Sequence, residues 1–174
     1  MNNMESYKFS QYLHNFSVWT AASAVNRNFT TTKNISDVIN KICLIKFVLK
    51  YPKMTPEKFN RLHKKLCNYI INEFEKMKIK CSYGRAAKII AIYLKTSIII
   101  TEKGEGSFTN VIHPPIDRIF LNNISNKFKE KDFDFKKVAW TKLTENEYWK
   151  IYDKILERIK FFNWQLEEYW NPVS

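Results

Sequence analysis

The sequence predicts an all-α fold, a single compact helical domain over residues 1–174, and two observations carry that expectation. Only 3 Gly and 5 Pro occur in the chain, whereas an all-β sandwich or barrel needs many turn residues with positive or fixed φ. Apolar residues instead recur at three- and four-residue spacing along most of the length, the period of a helix with a buried face. With 174 residues, 45% hydrophobic and 26% charged, the chain has an ordinary globular composition and is long enough to bury roughly 70% of the surface its unfolded form exposes. Intrinsic disorder and collagen-like or coiled-coil rods are excluded on the same grounds.

From about Tyr7 to Arg27, Phe9, Leu13, Phe16 and Ala24, with Trp19 and Ala21, fall at helical spacing and predict a long first helix. The Thr-rich stretch from Phe29 to Lys33 breaks it, and Ile35, Val38, Ile39, Ile42, Ile45 and Val48 give a second, closing near Tyr51-Pro52. Thr55-Pro56-Glu57 is a helix start, because Thr caps free amides and Pro fits the first helical position. Phe59, Leu62, Leu66, Tyr69, Ile70 and Phe74 carry this third helix to about Lys78. After the polar link Cys81-Ser82-Tyr83-Gly84, a fourth runs from Ala86 to about Ile98, apolar on two sides and hence central. The segments Ser97–Ile100 and Phe108–Ile112, flanking the Gly-bearing loop Thr101–Ser107, are expected to form one small β-hairpin insertion. Pro114-Pro115 favours the start of a short fifth helix buried through Ile116, Ile119, Phe120 and Ile124. Lys127 to Lys137 reads as a charged, aromatic loop. The capping box Thr144-x-x-Glu147 then opens a long last helix carrying Tyr148, Ile151, Ile155, Ile159, Phe162 and Leu166.

Against 17 Asp+Glu stand 29 Lys+Arg, a net charge of +12 and a pI near 9.6. Such a field attracts phosphate backbones and other anionic surfaces, and puts nucleic acid first among partners. The competing origin is an AT-rich genome, whose codons raise Lys, Asn and Ile without selection for binding. Aromatic residues, 16% of the chain, serve either base stacking or core packing. Cys43, Cys67 and Cys81 are odd in number and not closely spaced, unlike a secreted disulfide framework, so reduced thiols and a cytoplasmic location are expected. No leader and no membrane-spanning run is read, and a monomer is expected. His63 and Cys67 lie one helical turn apart, but no second close pair completes a metal site. Walker, Rossmann and Gly-x-Ser-x-Gly patterns are missing. Neither a metal nor another cofactor is expected.

Two short constellations carry chemistry. In Gly84-Arg85-Ala86-Ala87-Lys88 a glycine turn precedes a helix N-terminus, where free amides and the helix dipole favour an anion and Arg85 and Lys88 add charge. The same residues also suit a plain helix–helix turn with solvated cations. In His113-Pro114-Pro115-Ile116-Asp117-Arg118, two prolines hold a helix start rigidly with Asp117 in its first turn. That position stabilises a carboxylate, for capping or for catalysis.

The Gly84-x-Ala86-x-Lys88 turn, the helix ending Tyr93-Leu94-Lys95 and the step Ile116-Asp117-Arg118 together resemble helix-hairpin-helix DNA glycosylases of the 8-oxoguanine class. The likeness covers about Ser82 to Leu121. Ala86 stands in place of a second glycine, the interval Thr96–Pro115 is lengthened, and Ile119 stands where members often have His. The resemblance implies a helix-hairpin-helix turn gripping double-stranded DNA through Gly84, Arg85, Ala86, Lys95 and Arg118, with Lys88 as the lysine nucleophile and Asp117 as the activating carboxylate. The Gly-Arg-Ala-x-Lys turn, the Pro-Ile-Asp step and the segment Trp140–Leu143 also resemble bacterial proteins to which no activity is attached, which implies that the three segments form one site.

The implied reaction is removal of a damaged or modified base, one of phage type included, from duplex DNA by cleavage of its N-glycosidic bond. A carboxylate stabilises the oxocarbenium-like sugar formed on the way. The base must leave the stack, and Trp19, Asn26, Arg27, Tyr83, His113 and Trp140 are the residues from which a pocket would be built. One rival is a non-enzymatic DNA- or RNA-binding helical module in which Asp117 only caps its helix, and a second is a protein-interaction module whose charge is of genomic origin.

Overall fold

A computed structural model describes residues 8–42, 54–128 and 133–170. It is all-helical, and no strand occurs among the described residues. Helix α1 (Phe9–Val25) buries a face of mostly small side chains, Ser17, Val18, Ala21, Ala22 and Val25, which lets its backbone lie close along the central helix α4 (Tyr83–Leu94). Asn28, with φ 54, turns the chain in a left-handed conformation that Asn tolerates better than most residues. Helix α2 (Thr32–Ile42) buries Ile35, Val38, Ile39 and Ile42. The expected continuation through Ile45 and Val48 to Tyr51-Pro52, and Cys43 with it, lies outside the described residues.

The start of α3 (Pro56–Lys76) is as read. The Thr55 hydroxyl accepts from the Lys58 amide at 3.4 Å, with Pro56 in the first turn. Its end is a left-handed Lys78, φ 58, beyond which the Ile79 amide returns to the Phe74 carbonyl at 2.9 Å. Helix α4 begins three residues before the expected Ala86, because Ser82 caps it through the Arg85 amide at 3.2 Å. It is buried on nearly every side and packs against α1, α3 and the last long helix.

The expected β-hairpin does not form. Lys95–Ile99 extends α4 as a π-helical turn, and Thr109–Val111 is a 3-10 turn. The β-branched run Ser97–Ile100 reads locally as a strand, but the Ser97, Thr96 and Thr101 hydroxyls donate to the carbonyls of Tyr93, Ile92 and Ser97 at 2.8, 3.0 and 2.9 Å. Those bonds hold the chain in a helical path, while Ile98 and Ile99 enter the core.

Helix α5 (Arg118–Phe128) follows the Pro-Pro step, with Asp117 as its cap. Two 3-10 turns, Phe135–Lys137 and Trp140–Lys142, lead to α6 (Glu145–Ile159), which carries the complete Thr144/Glu147 capping box. This helix is shorter than the spacing suggests. Lys160 turns left-handed at φ 70, and Phe162 and Leu166 enter the core from the connection and from a 3-10 segment, Trp164–Tyr169, capped by Asn163 through the Gln165 amide at 3.0 Å. A 3-10 turn repeats every three residues, so Leu166 keeps a helix-like spacing after the α-helix has ended. No helix among the described residues is long and apolar enough to cross a membrane.

Candidate active site

Three segments distant in sequence meet on one side of α4. Lys88 projects from its second turn, Asp117 caps α5, and Trp140 lies in the 3-10 turn before α6. The Lys88 Nζ donates to Asp117 Oδ2 at 3.0 Å, and their side chains are only 11% and 9% exposed. The ammonium also lies 4.5 Å from the centre of the Trp140 ring, within cation–π range. Asp117 is held from two further directions: the Trp170 indole N–H donates to Oδ2 at 3.0 Å and the Phe120 amide to Oδ1 at 3.1 Å. The result is an oriented ion pair between two indoles, largely withdrawn from water.

Trp170 comes from the C-terminal 3-10 segment, which is tied down beside the pair. The Asn123 amide donates to the Tyr169 carbonyl at 2.8 Å, Lys95 pairs with Glu167, and the Lys95 ammonium sits 5.4 Å from the Trp170 ring centre. Burial pushes the Glu167 carboxyl above its ordinary range; Lys95 opposes the shift and the negative charge of Asp117 adds to it. Lys95 is therefore committed to an internal carboxylate, whereas the resemblance implies that it faces DNA.

The helix start at Gly84 is closed, contrary to the expectation of an open anion site. The Gly84 amide donates to the Leu143 carbonyl at 3.2 Å and the Arg85 amide to the Ser82 hydroxyl. Ala86 is fully buried. The Arg85 guanidinium stacks 4.5 Å from the centre of the Phe29 ring and donates to the Asn28 carbonyl at 2.9 Å, which binds it to the α1–α2 turn. Glycine is required at 84 for close packing: a Cβ there would lie 2.1 Å from the Trp140 carbonyl oxygen and 3.0 Å from the Leu143 Cβ. Gly84→Ala is therefore expected to lower stability by about 1–3 kcal/mol through overpacking, measured by urea unfolding, and to disturb the Trp140 lid over Lys88. Arg118 remains exposed, donating to the Lys136 carbonyl.

Of the residues considered for a base pocket, only Trp140 reaches the ion pair. Tyr83 and His113 are core residues gathered around His63. The His113 ring bonds Tyr148 Oη and Asn60 Oδ1, both at 2.9 Å, and Tyr83 Oη lies 3.4 Å from His63 Nδ1. Trp19 is on the exposed face of α1, while Asn26 and Arg27 follow its last turn. Trp170 and Glu167 were not singled out from sequence. Trp170 is 53 residues from Asp117, and an aromatic tail by itself does not say which carboxylate it will meet.

His63 and Cys67 do pack together, Sγ to Nδ1 3.7 Å, in a fully buried setting. Burial lowers the His63 imidazole to about 3 and raises the Cys67 thiol well above its ordinary value. Among the described residues no group of three or more His, Cys, Asp and Glu side chains is placed to hold a metal ion. No family model matches this chain, and no curated protein and no solved structure matches it.

Proposed function

We propose that the chain is a DNA N-glycosylase whose reacting groups are Asp117 and Lys88. The observation that carries the reading is their 3.0 Å contact. The lysine and the carboxylate to which the glycosylase resemblance attaches these roles come from different helices and meet in an enclosed, indole-lined setting. An ionised Asp117, fixed by the Phe120 amide and the Trp170 indole, is suited to stabilise positive charge developing on a deoxyribose. To attack the sugar C1′ as the base departs, the Lys88 ammonium must first give up a proton, to the departing base or to Asp117. Substrate access requires the Trp140 and Trp170 indoles to part.

The test is incubation of the purified chain with duplexes carrying oxidised, alkylated, deaminated and phage-type bases, followed by borohydride reduction. Base release is the expected result. A covalent protein–DNA adduct that is lost in Lys88→Gln identifies a bifunctional enzyme, whereas release without an adduct identifies a monofunctional one. A second reading, DNA binding without chemistry, draws on Asp117 being already occupied by three donors. In both readings contact with about four to six phosphates makes log affinity fall with log salt at a slope near −4 to −5. A flat titration removes both.

A further inference from the structure

Four of the six large apolar side chains exposed among the described residues stand on α1: Phe9 at 72%, Tyr12 at 50%, Phe16 at 43% and Trp19 at 60% exposure. Their spacing is three, four and three residues, the a/d rhythm of a helix–helix seam. The rings run as a continuous ladder, with neighbouring centroids 6.3, 6.3 and 5.8 Å apart. The opposite face of the same helix is the one buried against α4. Thus α1 is apolar on both sides, which is the pattern of a helix covered all round, and the elements among the described residues pack on one side. None of its 17 residues is Asp, Glu, Lys or Arg, although 26% of the chain is charged.

The missing charge narrows what can lie on the ladder. A phosphate backbone calls for Lys or Arg beside the stacking rings, and an interfacial membrane helix carries them on its polar face. α1 supplies neither. Aromatic enrichment with charge depletion is instead the composition of a protein–protein interface core. On a molecule of net charge +12, this helix is also where two like-charged copies can approach with least repulsion. A two-fold pair places the same ladder on both sides, and a regular a/d seam is complementary to itself.

We infer that α1 is a homodimer interface, in which two copies pack their Phe9–Tyr12–Phe16–Trp19 seams together. At about 200 Å² per aromatic side chain, the exposed parts of the four rings amount to roughly 450 Å² per copy. The pair would bury about 900 Å², below the roughly 1,200 Å² of stable specific interfaces and within the range of weak, transient ones. The dimer is accordingly weak, dissociating in the micromolar range, and it is separate from the Lys88–Asp117 site.

Sedimentation equilibrium of the full chain across the micromolar range tests this, beside Phe16→Glu/Trp19→Glu and the milder Trp19→Gln. The expected result is a reversible dimer in the wild type, a mass of one chain for the double variant, and a dissociation constant at least tenfold weaker for Trp19→Gln with its melting temperature kept. Trp19→Gln preserves the test should the double variant not fold. A wild-type mass of one chain throughout overturns the inference, as does undiminished dimerisation in folded Trp19→Gln. Co-sedimentation of the wild type, but not Trp19→Gln, with phosphatidylglycerol/phosphatidylcholine vesicles in place of self-association would assign the ladder to lipid and also overturn it.

Discussion

Asp117→Asn is expected to reduce base release by at least 10²–10³-fold, the loss typical when one preorganised electrostatic group is removed from a reacting centre. The carboxylate acts mainly as positive charge develops on the sugar, so duplex affinity should change little. The structure adds a second effect. Asp117 is more than a cap: its loss leaves the Lys88 ammonium, 11% exposed, without its counter-charge, and an Asn side chain would turn its NH2 donor either toward Lys88 and the Trp170 indole or toward the Phe120 amide. Removing one member of a buried pair costs about 3–5 kcal/mol, equivalent to a fall of roughly 10 °C in melting temperature for a chain of this size. The double variant Lys88→Met/Asp117→Asn separates the two effects. It should recover most of the stability, because no uncompensated charge remains, and none of the activity. Retained base release in the single variant would remove Asp117 from the chemistry, and an unchanged melting temperature would deny the ion pair a structural role.

Acidification is expected to unfold the protein well before its carboxylates titrate. Burial holds the His63 imidazole down to about 3, and burial together with the neighbouring His63 holds His113 well below its ordinary value. In the unfolded chain both regain a pKa near 6.5. Below that value the unfolded state binds protons that the native state refuses, so stability is complete above about pH 6.5 and falls as pH drops toward the folded values. Near pH 5 each histidine would cost about 2 kcal/mol and the two together about 4 kcal/mol, a large share of the stability of most domains. Glu57, Glu73 and Glu147, whose carboxyls are lowered by hydrogen bonds, contribute to the loss only at lower pH. Glu167 is shifted upward and acts weakly in the opposite sense. Urea unfolding at pH 7.5, 6 and 5 should show stability declining with an uptake of two protons, and His63→Gln should halve that slope. Constant stability from pH 7 to 5 would mean that the His63–His113 cluster admits charge.

The starts of α3 and α6 were legible because capping is local chemistry. Thr55-Pro56 and Thr144-x-x-Glu147 need partners only three residues away, and both caps form as read. Where a second local interaction competed, the reading failed. The Ser and Thr hydroxyls that turn Ser97–Ile99 into a π-helical continuation leave no mark in the hydrophobic pattern, so a β-branched run looked like a strand. The end of α6 was missed because Phe162 and Leu166 keep a near-helical spacing after Lys160 has turned left-handed.

The sequence by itself determined the helical class, the order of the α-helices among the described residues, the central place of α4 and, through its resemblance, that Lys88 and Asp117 deserved to be considered together. The first three follow from spacing, capping and composition, which act over a few residues or over the whole chain at once. Only the tertiary structure decided what surrounds the pair. The contact of Gly84 with Trp140 and Leu143, the withdrawal of Tyr83 and His113 into the core, and the indole of Trp170 on Asp117 all depend on segments 20 to 59 residues apart in the chain coming into register. Buried donors and acceptors must find partners, but which distant partner each finds is set by how the helices pack. A closed, charge-paired site and an open anion-binding turn can therefore share the residues Gly84 to Lys88.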